Sequence, residues 1–223
     1  MSTHIVAIDG PAGAGKSTIA SMVADELGFQ LIDTGALYRT VAYLALQRGV
    51  DLEDADAVAD IAAGIDLEFR QEDGDNVLYC NGEALRTEIR TEQVGRGASV
   101  ISAHPEVRGA LIDAQRDMGE SRSSVLEGRD IGTVVFPDAD VKVFLTADPK
   151  VRATRRVEQL AERGEDVDFD EVYADIVERD RRDRERDIAP LKQADDAVCV
   201  DTSDLSIDEV VDEILGIVGE RLE

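Results

Sequence analysis

A glycine-rich segment near the start of the chain carries the most specific chemical signal. Residues 10–18 read GPAGAGKST, which fits G-x-x-x-x-G-K-S/T, and they lie between an apolar run and a stretch of helical periodicity. In such a loop backbone N–H groups surround a phosphate, the lysine reaches the β- and γ-phosphates, and the serine hydroxyl ligates Mg²⁺. We therefore predict that nucleotide phosphates bind to Gly10, Pro11, Ala12, Gly13, Ala14, Gly15, Lys16, Ser17 and Thr18.

Arginines form the second group of candidates, and they occur in three places. Arg39 follows the sequence DTGALY at the start of a predicted helix. Arg129 lies in EGRD just past the end of a predicted strand, where open α/β sheets place their binding sites. The third place is a run interleaved with acidic residues, which has two interpretations: a solvated helix face with internal salt bridges, or one wall of a phosphate site. Its arginines are Arg179, Arg181, Arg182, Arg184 and Arg186.

A phosphate-binding loop combined with many arginines favours phosphoryl transfer, which depends mainly on positioning and charge stabilisation. The chain has no NKxD sequence after a strand, and the run at 141–145 ends in Thr-Ala-Asp rather than in an Asp-Glu pair. Neither a small GTPase nor a mechanical ATPase is therefore supported. A phosphate acceptor is already nucleophilic, whereas a hydroxyl acceptor would need a base such as Asp33 or Asp130. Both acceptors stay open, as does a regulatory nucleotide-binding module without transfer activity.

The charge and composition exclude several other classes. The 223 residues include 49 Asp and Glu against 24 Lys and Arg, and the formal net charge is −25. Binding to nucleic acid or to an anionic membrane through bulk charge is therefore not expected. Hydrophobic residues make up 43%, which is enough for a core. The few lysines and many carboxylates favour adaptation to a salty cytoplasm, a halophilic character, with a merely acidic cytosolic protein as the alternative.

Cysteine usage and the N-terminus indicate a cytoplasmic location. Cys80 and Cys199 lie far apart without a CxxC motif, so two reduced thiols are expected. The sequence shows neither a signal peptide nor an apolar run long enough to span a membrane. We expect one sizeable domain with a small insertion.

Apolar patterning predicts strands that alternate with helices, and therefore a mostly parallel sheet covered on both faces. Residues 50–90 differ, because an acidic helix is followed by alternating segments and by the turn signals DGDN and NG, which predict a small inserted antiparallel sheet. The predicted strands are 4–9, 29–32, 65–69, 77–80, 83–85, 124–127, 141–145 and 197–200. The predicted helices are 17–28, 36–47, 91–103, 105–118, about 149–163, one with an apolar face from Phe169 to Val177, and one from Ser206 to Leu222.

Four segments together resemble the bacterial-type cytidylate kinases, over nearly the whole chain. They are residues 10–18, DTGALYR at 33–39, GRDIGTVVFP at 128–137, and RDRRDRER at 179–186 with APL at 189–191. The third segment is much more specific than the glycine-rich loop. The resemblance implies a P-loop nucleoside monophosphate kinase that transfers the γ-phosphoryl group of ATP to CMP or dCMP with Mg²⁺. We expect a monomer whose partners are these nucleotides, with no nucleic-acid or membrane partner.

The resemblance also implies the architecture. The expected fold class is α/β, with a parallel five-stranded sheet, helices on both faces, a small inserted antiparallel sheet and a lid. The core would comprise 1–35, 105–150 and 168–223. The part that binds the monophosphate would be 36–104, with the inserted sheet at 64–90, and the mobile lid would be 151–167.

Residue roles follow from the same resemblance. The expected catalytic residues are Lys16, Arg129, Arg155, Arg156 and Arg186. The expected CMP site comprises Thr34, Tyr38, Arg39, Ser99, Arg108, Arg129, Asp130, Arg179, Asp183 and Arg186. Ser17 would hold Mg²⁺, with Asp33 and Glu127 acting through water, although some relatives have Asp where this chain has Glu127. Asp33 has the alternative role of capping a turn. Asp130 suits cytosine, because that base offers an amino group where uracil offers an oxygen.

Overall fold

Strands and helices alternate along the chain in the computed structural model, which describes residues 3–162 and 164–222. A short 3₁₀ turn covers Glu88–Arg90, and a π-helical turn covers Ile131–Val135. In chain order the elements are β1 (Ile5–Asp9), α1 (Lys16–Leu27), β2 (Gln30–Asp33), α2 (Thr34–Gln47), α3 (Ala55–Ala63), β3 (Leu67–Glu72), β4 (Asp75–Cys80), β5 (Glu83–Leu85), α4 (Glu92–Ile101), α5 (Pro105–Glu120), β6 (Ser124–Gly128), β7 (Val141–Thr146), α6 (Pro149–Glu162), α7 (Phe169–Glu185), β8 (Val198–Asp201) and α8 (Ile207–Leu222).

A five-stranded parallel sheet forms the centre, in the order β2-β6-β1-β7-β8. The predicted parallel sheet is thereby confirmed. Its register places Asp9 beside Gly128 and Asp33 beside Glu127. Because the strands are parallel, their carboxyl ends meet at one edge, and the polar residues that follow them converge there.

Helices cover both faces of the sheet, as predicted. One apolar cluster lies under α2, α3 and α5, and the other lies under α1 and α8. In α8 the residues Val210, Val211, Ile214 and Val218 are buried, whereas Ile207 is 52% exposed. The apolar stripe of α8 therefore begins to pack only after the first turn of the helix. None of the helices in the described parts of the chain is both long and apolar enough to cross a membrane.

The predicted insertion is a three-stranded antiparallel sheet of β3, β4 and β5. Both turns were predicted from the sequence. Asp73 and Asn81 adopt positive φ angles there, and each is followed by a glycine that does the same. The Asn76 side chain donates to the Leu31 carbonyl at 3.1 Å. This bond fastens the insertion to the edge strand β2.

The helices α6 and α7 pack on one another and form one side of the cleft described below. The sequence predicted that α6 ends at Arg163, a residue outside the described parts of the chain. An apolar face from Phe169 to Val177 was also predicted, but only Ile176 is buried, while Phe169 and Val177 are 38% and 42% exposed. Phe169 and Val177 therefore lie outside the core, and α7 packs against α6.

Candidate active site

The carboxyl edge of the parallel sheet opens into a cleft of about 1300 Å³. Nearly all predicted site residues line it, from α1, α2, α4, α5, the segment after β6, α6 and α7. Gly10 and Pro11 are the exceptions among the predicted binding residues. A Cβ at Gly10 would lie 2.1 Å from the Leu145 carbonyl oxygen, so this glycine permits close packing of the loop on β7. The lining residues predicted from the sequence are Ala12, Gly13, Ala14, Gly15, Lys16, Ser17, Thr18, Asp33, Thr34, Tyr38, Arg39, Ser99, Arg108, Glu127, Arg129, Asp130, Arg155, Arg156, Arg179, Asp183 and Arg186.

The glycine-rich loop has the backbone that phosphate binding requires. Gly13 and Gly15 adopt φ angles of 76° and 87°, which other residues rarely reach, and α1 begins directly after them. The Lys16 ammonium donates to the Pro11 carbonyl at 2.8 Å. Lys16 thus folds back over the loop, and the helix start faces the cleft.

Arg152 supports this loop from behind, a role the sequence did not reveal. Only 1% of it is exposed, and it pairs with the Asp180 carboxylate of α7 at 2.5 Å. Its guanidinium also donates to the carbonyls of Ala12 at 2.8 Å and Ala147 at 3.0 Å. The bond to the Ala12 carbonyl restrains the backbone of the loop. Nothing in the sequence distinguishes Arg152 from the neighbouring arginines of α6.

Lys16 and Glu127 form the electrostatic centre of the loop. Burial, followed by the charge of Arg129, lowers the pKa of Lys16 to about 7. Burial, followed by the charge of Asp33, raises the pKa of Glu127 to about 7. The Glu127 Oε1 atom is buried and has no hydrogen-bond partner within residues 3–162 and 164–222. A cation beside it and a phosphate beside Lys16 would reverse both shifts, so the two groups fit a metal–phosphate complex.

Asp33 caps the N-terminus of α2, a role that the sequence also allowed. Its Oδ1 accepts from the Ala36 N–H at 2.9 Å, and its Oδ2 accepts from Arg39 at 2.7 Å. Thr34 donates to the Glu127 carbonyl at 2.7 Å and thereby joins the start of α2 to β6. These bonds place Arg39 at the mouth of the cleft, 24% exposed.

Arg129 and Asp183 join the segment after β6 to α7. The Arg129 Nε donates to Asp183 at 3.0 Å. Although burial opposes it, the charges of Arg129 and Arg179 hold the pKa of Asp183 below its usual range. Burial and the charge of Arg129 lower the pKa of Arg179 to about 10, and its Nε has no partner among the described residues. This cationic group is therefore prepared for an additional anion or acceptor.

A buried network of four side chains lies at the far end of the cleft. Arg108 donates to the Asp130 carboxylate and, at 3.2 Å, to the Tyr38 hydroxyl. Arg186 approaches the other Asp130 oxygen at 3.5 Å. The Ser99 hydroxyl is buried nearby in the cleft and has no partner within the described chain. Both carboxylate oxygens keep lone pairs for an additional donor, and Ser99 keeps its donor and its acceptor.

The two predicted α6 arginines occupy different walls of the cleft. Arg155 donates to the hydroxyl and the carbonyl of Thr202, at 2.9 and 2.5 Å, just after β8. Arg156 reaches across to the Glu92 carboxylate of α4 and donates to Gln159 at 2.6 Å. Of these two arginines, Arg156 is the one that reaches across the cleft to α4, where Arg96 also pairs with Asp175 of α7 at 2.6 Å.

The arginine run of α7 is divided between two faces of the helix. Arg179, Arg182 and Arg186 line the cleft. Arg181 lies on the opposite, exposed face and pairs with Glu178 and Glu185 at 2.8 and 2.6 Å, as a solvated helix face would. Helical periodicity divides the run, which a linear count of arginines does not show.

The fold and the cleft together define a P-loop kinase. A sequence model of the cytidylate kinase family matches residues 6–220. The chain is 48% identical to the cytidylate kinase of Pseudomonas aeruginosa over 213 residues, covering 95% of this chain and 93% of that protein. It is 47% identical to the Vibrio cholerae cytidylate kinase over 225 residues, covering 100% of both. The Pasteurella multocida cytidylate kinase is 43% identical over 219 residues, covering 98% of this chain and 96% of the relative. The chain belongs to the cytidylate kinase family.

Solved structures of more distant proteins share the fold. A crystal structure from Thermus thermophilus aligns with a TM-score of 0.50 at 19% identity, covering 100% of both chains. An uncharacterized protein from Eubacterium ventriosum aligns with a TM-score of 0.55 at 13% identity, covering 98% of this chain and 99% of the other. At these identities the likeness concerns the fold alone.

Proposed function

We propose that this chain transfers the γ-phosphoryl group of ATP to CMP or dCMP through the residues that line the cleft. The observation that carries the proposal is the meeting of the glycine-rich loop with a buried arginine–carboxylate network in one cleft. Such a cleft suits a reaction between two phosphorylated substrates, because arginines can neutralise both sets of phosphates.

The donor phosphates would bind to the loop at 12–18. Its N–H groups and Lys16 would hold the β- and γ-phosphates. Arg156 would leave Glu92 and bind the phosphoryl group that is transferred. The orphaned Glu127 oxygen beside Ser17 fits a hydrated cation. Ser17 would hold Mg²⁺ directly, with Asp33 and Glu127 acting through water. When bound, Mg²⁺ supplies neutralising charge between the phosphates.

The acceptor would lie between α2 and α7. Arg39 and Arg129 would bind its phosphate, and Arg179 with Asp183 would bind its ribose. Asp130 would accept from the cytosine amino group, while Arg108 and Ser99 would contact the rest of the base. Uracil presents an oxygen at the amino position, so CMP should be preferred.

A coupled assay of ADP release tests the assignment. CMP, dCMP, UMP, AMP and shikimate are supplied in turn as acceptors with ATP and Mg²⁺. We expect CMP and dCMP to give the highest rates. If none of the acceptors stimulates ADP release, the chain is a nucleotide-binding module, and if shikimate is the best acceptor, the hydroxyl-kinase alternative is correct. Omission of Mg²⁺ should abolish turnover.

The proposal extends to the conditions under which the protein works. We place it in the cytoplasm, where ATP and CMP are found, as a monomer. The outer face of α8 carries the exposed acids Asp208, Glu209, Asp212 and Glu213, and the net charge of −25 destabilises the fold by self-repulsion unless salt screens it. Salt adaptation predicts that the melting temperature and turnover rise from low to about 1 M KCl. If neither the melting temperature nor turnover rises with KCl, the proposal of salt adaptation is wrong, while the kinase assignment is unaffected.

A further inference from the structure

Asp9 is a buried carboxylate whose role the residues discussed so far do not explain. It ends β1, directly before Gly10 of the nucleotide loop, and is 5% exposed. Its two oxygens accept from the backbone N–H groups of Ile131 and Gly132, each at 2.8 Å. A carboxylate held by two such bonds has one orientation, and it fixes the peptide groups that donate to it.

The turn that receives these bonds lacks internal acceptors for its first N–H groups. Within the turn Ile131–Val135, the N–H groups of Val134 and Val135 donate to the Asp130 carbonyl, at 2.9 and 3.2 Å. The N–H groups of Ile131 and Gly132 point the other way, towards Asp9. Asp9 therefore supplies the cap that the start of a helical turn requires, from the neighbouring strand β1, which is remote in sequence.

The packing around the turn leaves it little freedom. A Cβ added to Gly132 would lie 3.1 Å from the Lys142 side chain and 3.5 Å from the Asp9 carboxylate. A Cβ added to Gly128, at the other end of the segment, would lie 2.7 Å from Ile131. Arg129, Asp130 and Ile131 lie between these two glycines, and the Ile131 N–H is one of the two that Asp9 holds. Although burial raises the pKa of Asp9 to about 6, the carboxylate stays mostly ionised at neutral pH.

We propose that Asp9 is the positioning residue for cytosine selection, an inference that rests on the proposed function. By holding the N–H groups of Ile131 and Gly132, it sets the orientation of Asp130 against the base and of Arg129 against the acceptor phosphate. Since Asp9 also adjoins Gly10, a single carboxylate fixes the acceptor-reading segment relative to the donor loop.

The substitution Asp9→Asn tests this with almost no change in volume. Asparagine keeps one acceptor oxygen but turns an NH₂ group against the second N–H. A displacement on the order of 1 Å in a binding group reduces turnover by about 100-fold. We expect kcat/KM for CMP to fall about 10- to 100-fold. The kcat/KM for UMP should fall less, so that the ratio of kcat/KM for CMP to kcat/KM for UMP decreases. The KM for ATP should stay within about twofold of wild type, because the Asp9 carboxylate bonds to the turn after β6, whereas Arg152 restrains the donor loop itself.

A second variant and a matched control keep the test decisive. Gly132→Ala crowds the same turn while leaving Asp9 intact. It should also lower the ratio of kcat/KM for CMP to that for UMP. Ser124→Ala, a buried change at the opposite end of β6, should leave the ratio unchanged even if it lowers the melting temperature. The inference is overturned if CMP and UMP lose activity equally in Asp9→Asn and Gly132→Ala, or if neither variant folds, since Asp9 would then be purely structural. A wild-type enzyme that does not prefer CMP would instead contradict the proposed function.

Discussion

The two walls of the cleft are built on different principles. The proposed donor wall is a continuous segment, residues 12–18, in which backbone N–H groups would supply most of the binding. The acceptor wall takes single side chains from α2, α4, α5, α7 and the segment after β6. Several of its arginines are already paired in this structure, Arg39 with Asp33 and Arg129 with Asp183. In the proposed function the donor wall would therefore depend on one cation, Lys16, whereas the acceptor wall would exchange its carboxylate partners for substrate groups.

This difference predicts unequal consequences of removing charge. Lys16 is buried, and its loss leaves no other cation on the donor loop, whereas a lost acceptor arginine leaves cationic neighbours behind. The experiments below compare the two walls, beginning with the largest expected effect.

Lys16→Ala should reduce kcat the most, on the order of 100- to 1000-fold, because the ammonium faces charge that develops during transfer. The assay is ADP release at saturating ATP and CMP. Lys150→Ala, which removes an exposed lysine at the start of α6, is the matched control and should be near wild type. A kcat within about tenfold of wild type in Lys16→Ala would contradict the asymmetry between the walls.

Arg129→Ala should reduce kcat by about 100-fold, somewhat less than Lys16→Ala, because Arg39 and Arg179 remain near the acceptor phosphate. The same assay measures this effect. Arg122→Ala, at an exposed position before β6, provides the control. Near-normal turnover in Arg129→Ala would refute its place at the reacting centre.

Arg39→Ala should affect binding more than chemistry. We expect the KM for CMP to rise about tenfold while kcat changes little, because Arg39 is partly exposed at the mouth of the cleft and contributes similarly to ground state and transition state. Arg48→Ala, at the exposed end of the same helix, controls for helix stability. An unchanged KM for CMP would count against acceptor-phosphate binding.

The same contrast explains what the sequence could and could not predict. The donor loop is local, so its residues, strand and helix were all readable from one segment. The two hairpins of the insertion were readable for the same reason, through Asp73-Gly74 and Asn81-Gly82. Arg39, Arg129 and Arg179 of the acceptor wall stood out in the sequence itself, but the pairing of Arg129 with Asp183 did not, because it joins residues 54 positions apart. The pairing of Arg152 with Asp180 behind the donor loop was likewise not predictable, because it depends on how α6 packs on α7.

Asp9 is an intermediate case. Its position at the end of a predicted strand beside the glycine-rich loop was visible in the sequence. Its partners were not, because Ile131 and Gly132 lie more than a hundred residues away. The π-helical turn that they begin has no pattern in a sequence read for helices and strands, and its first two N–H groups donate to Asp9, which is remote in sequence.

The most direct test of the account is the ratio of kcat/KM for CMP to that for UMP, measured in wild type and in Asp130→Asn. The asparagine amide can donate to the uracil oxygen where the aspartate can only accept from the cytosine amino group. We expect a strong CMP preference in wild type, and a ratio reduced by about tenfold or more in the variant, whatever the loss in absolute rate. An unchanged ratio, or a wild-type enzyme that prefers UMP, would contradict cytosine reading by the acceptor wall.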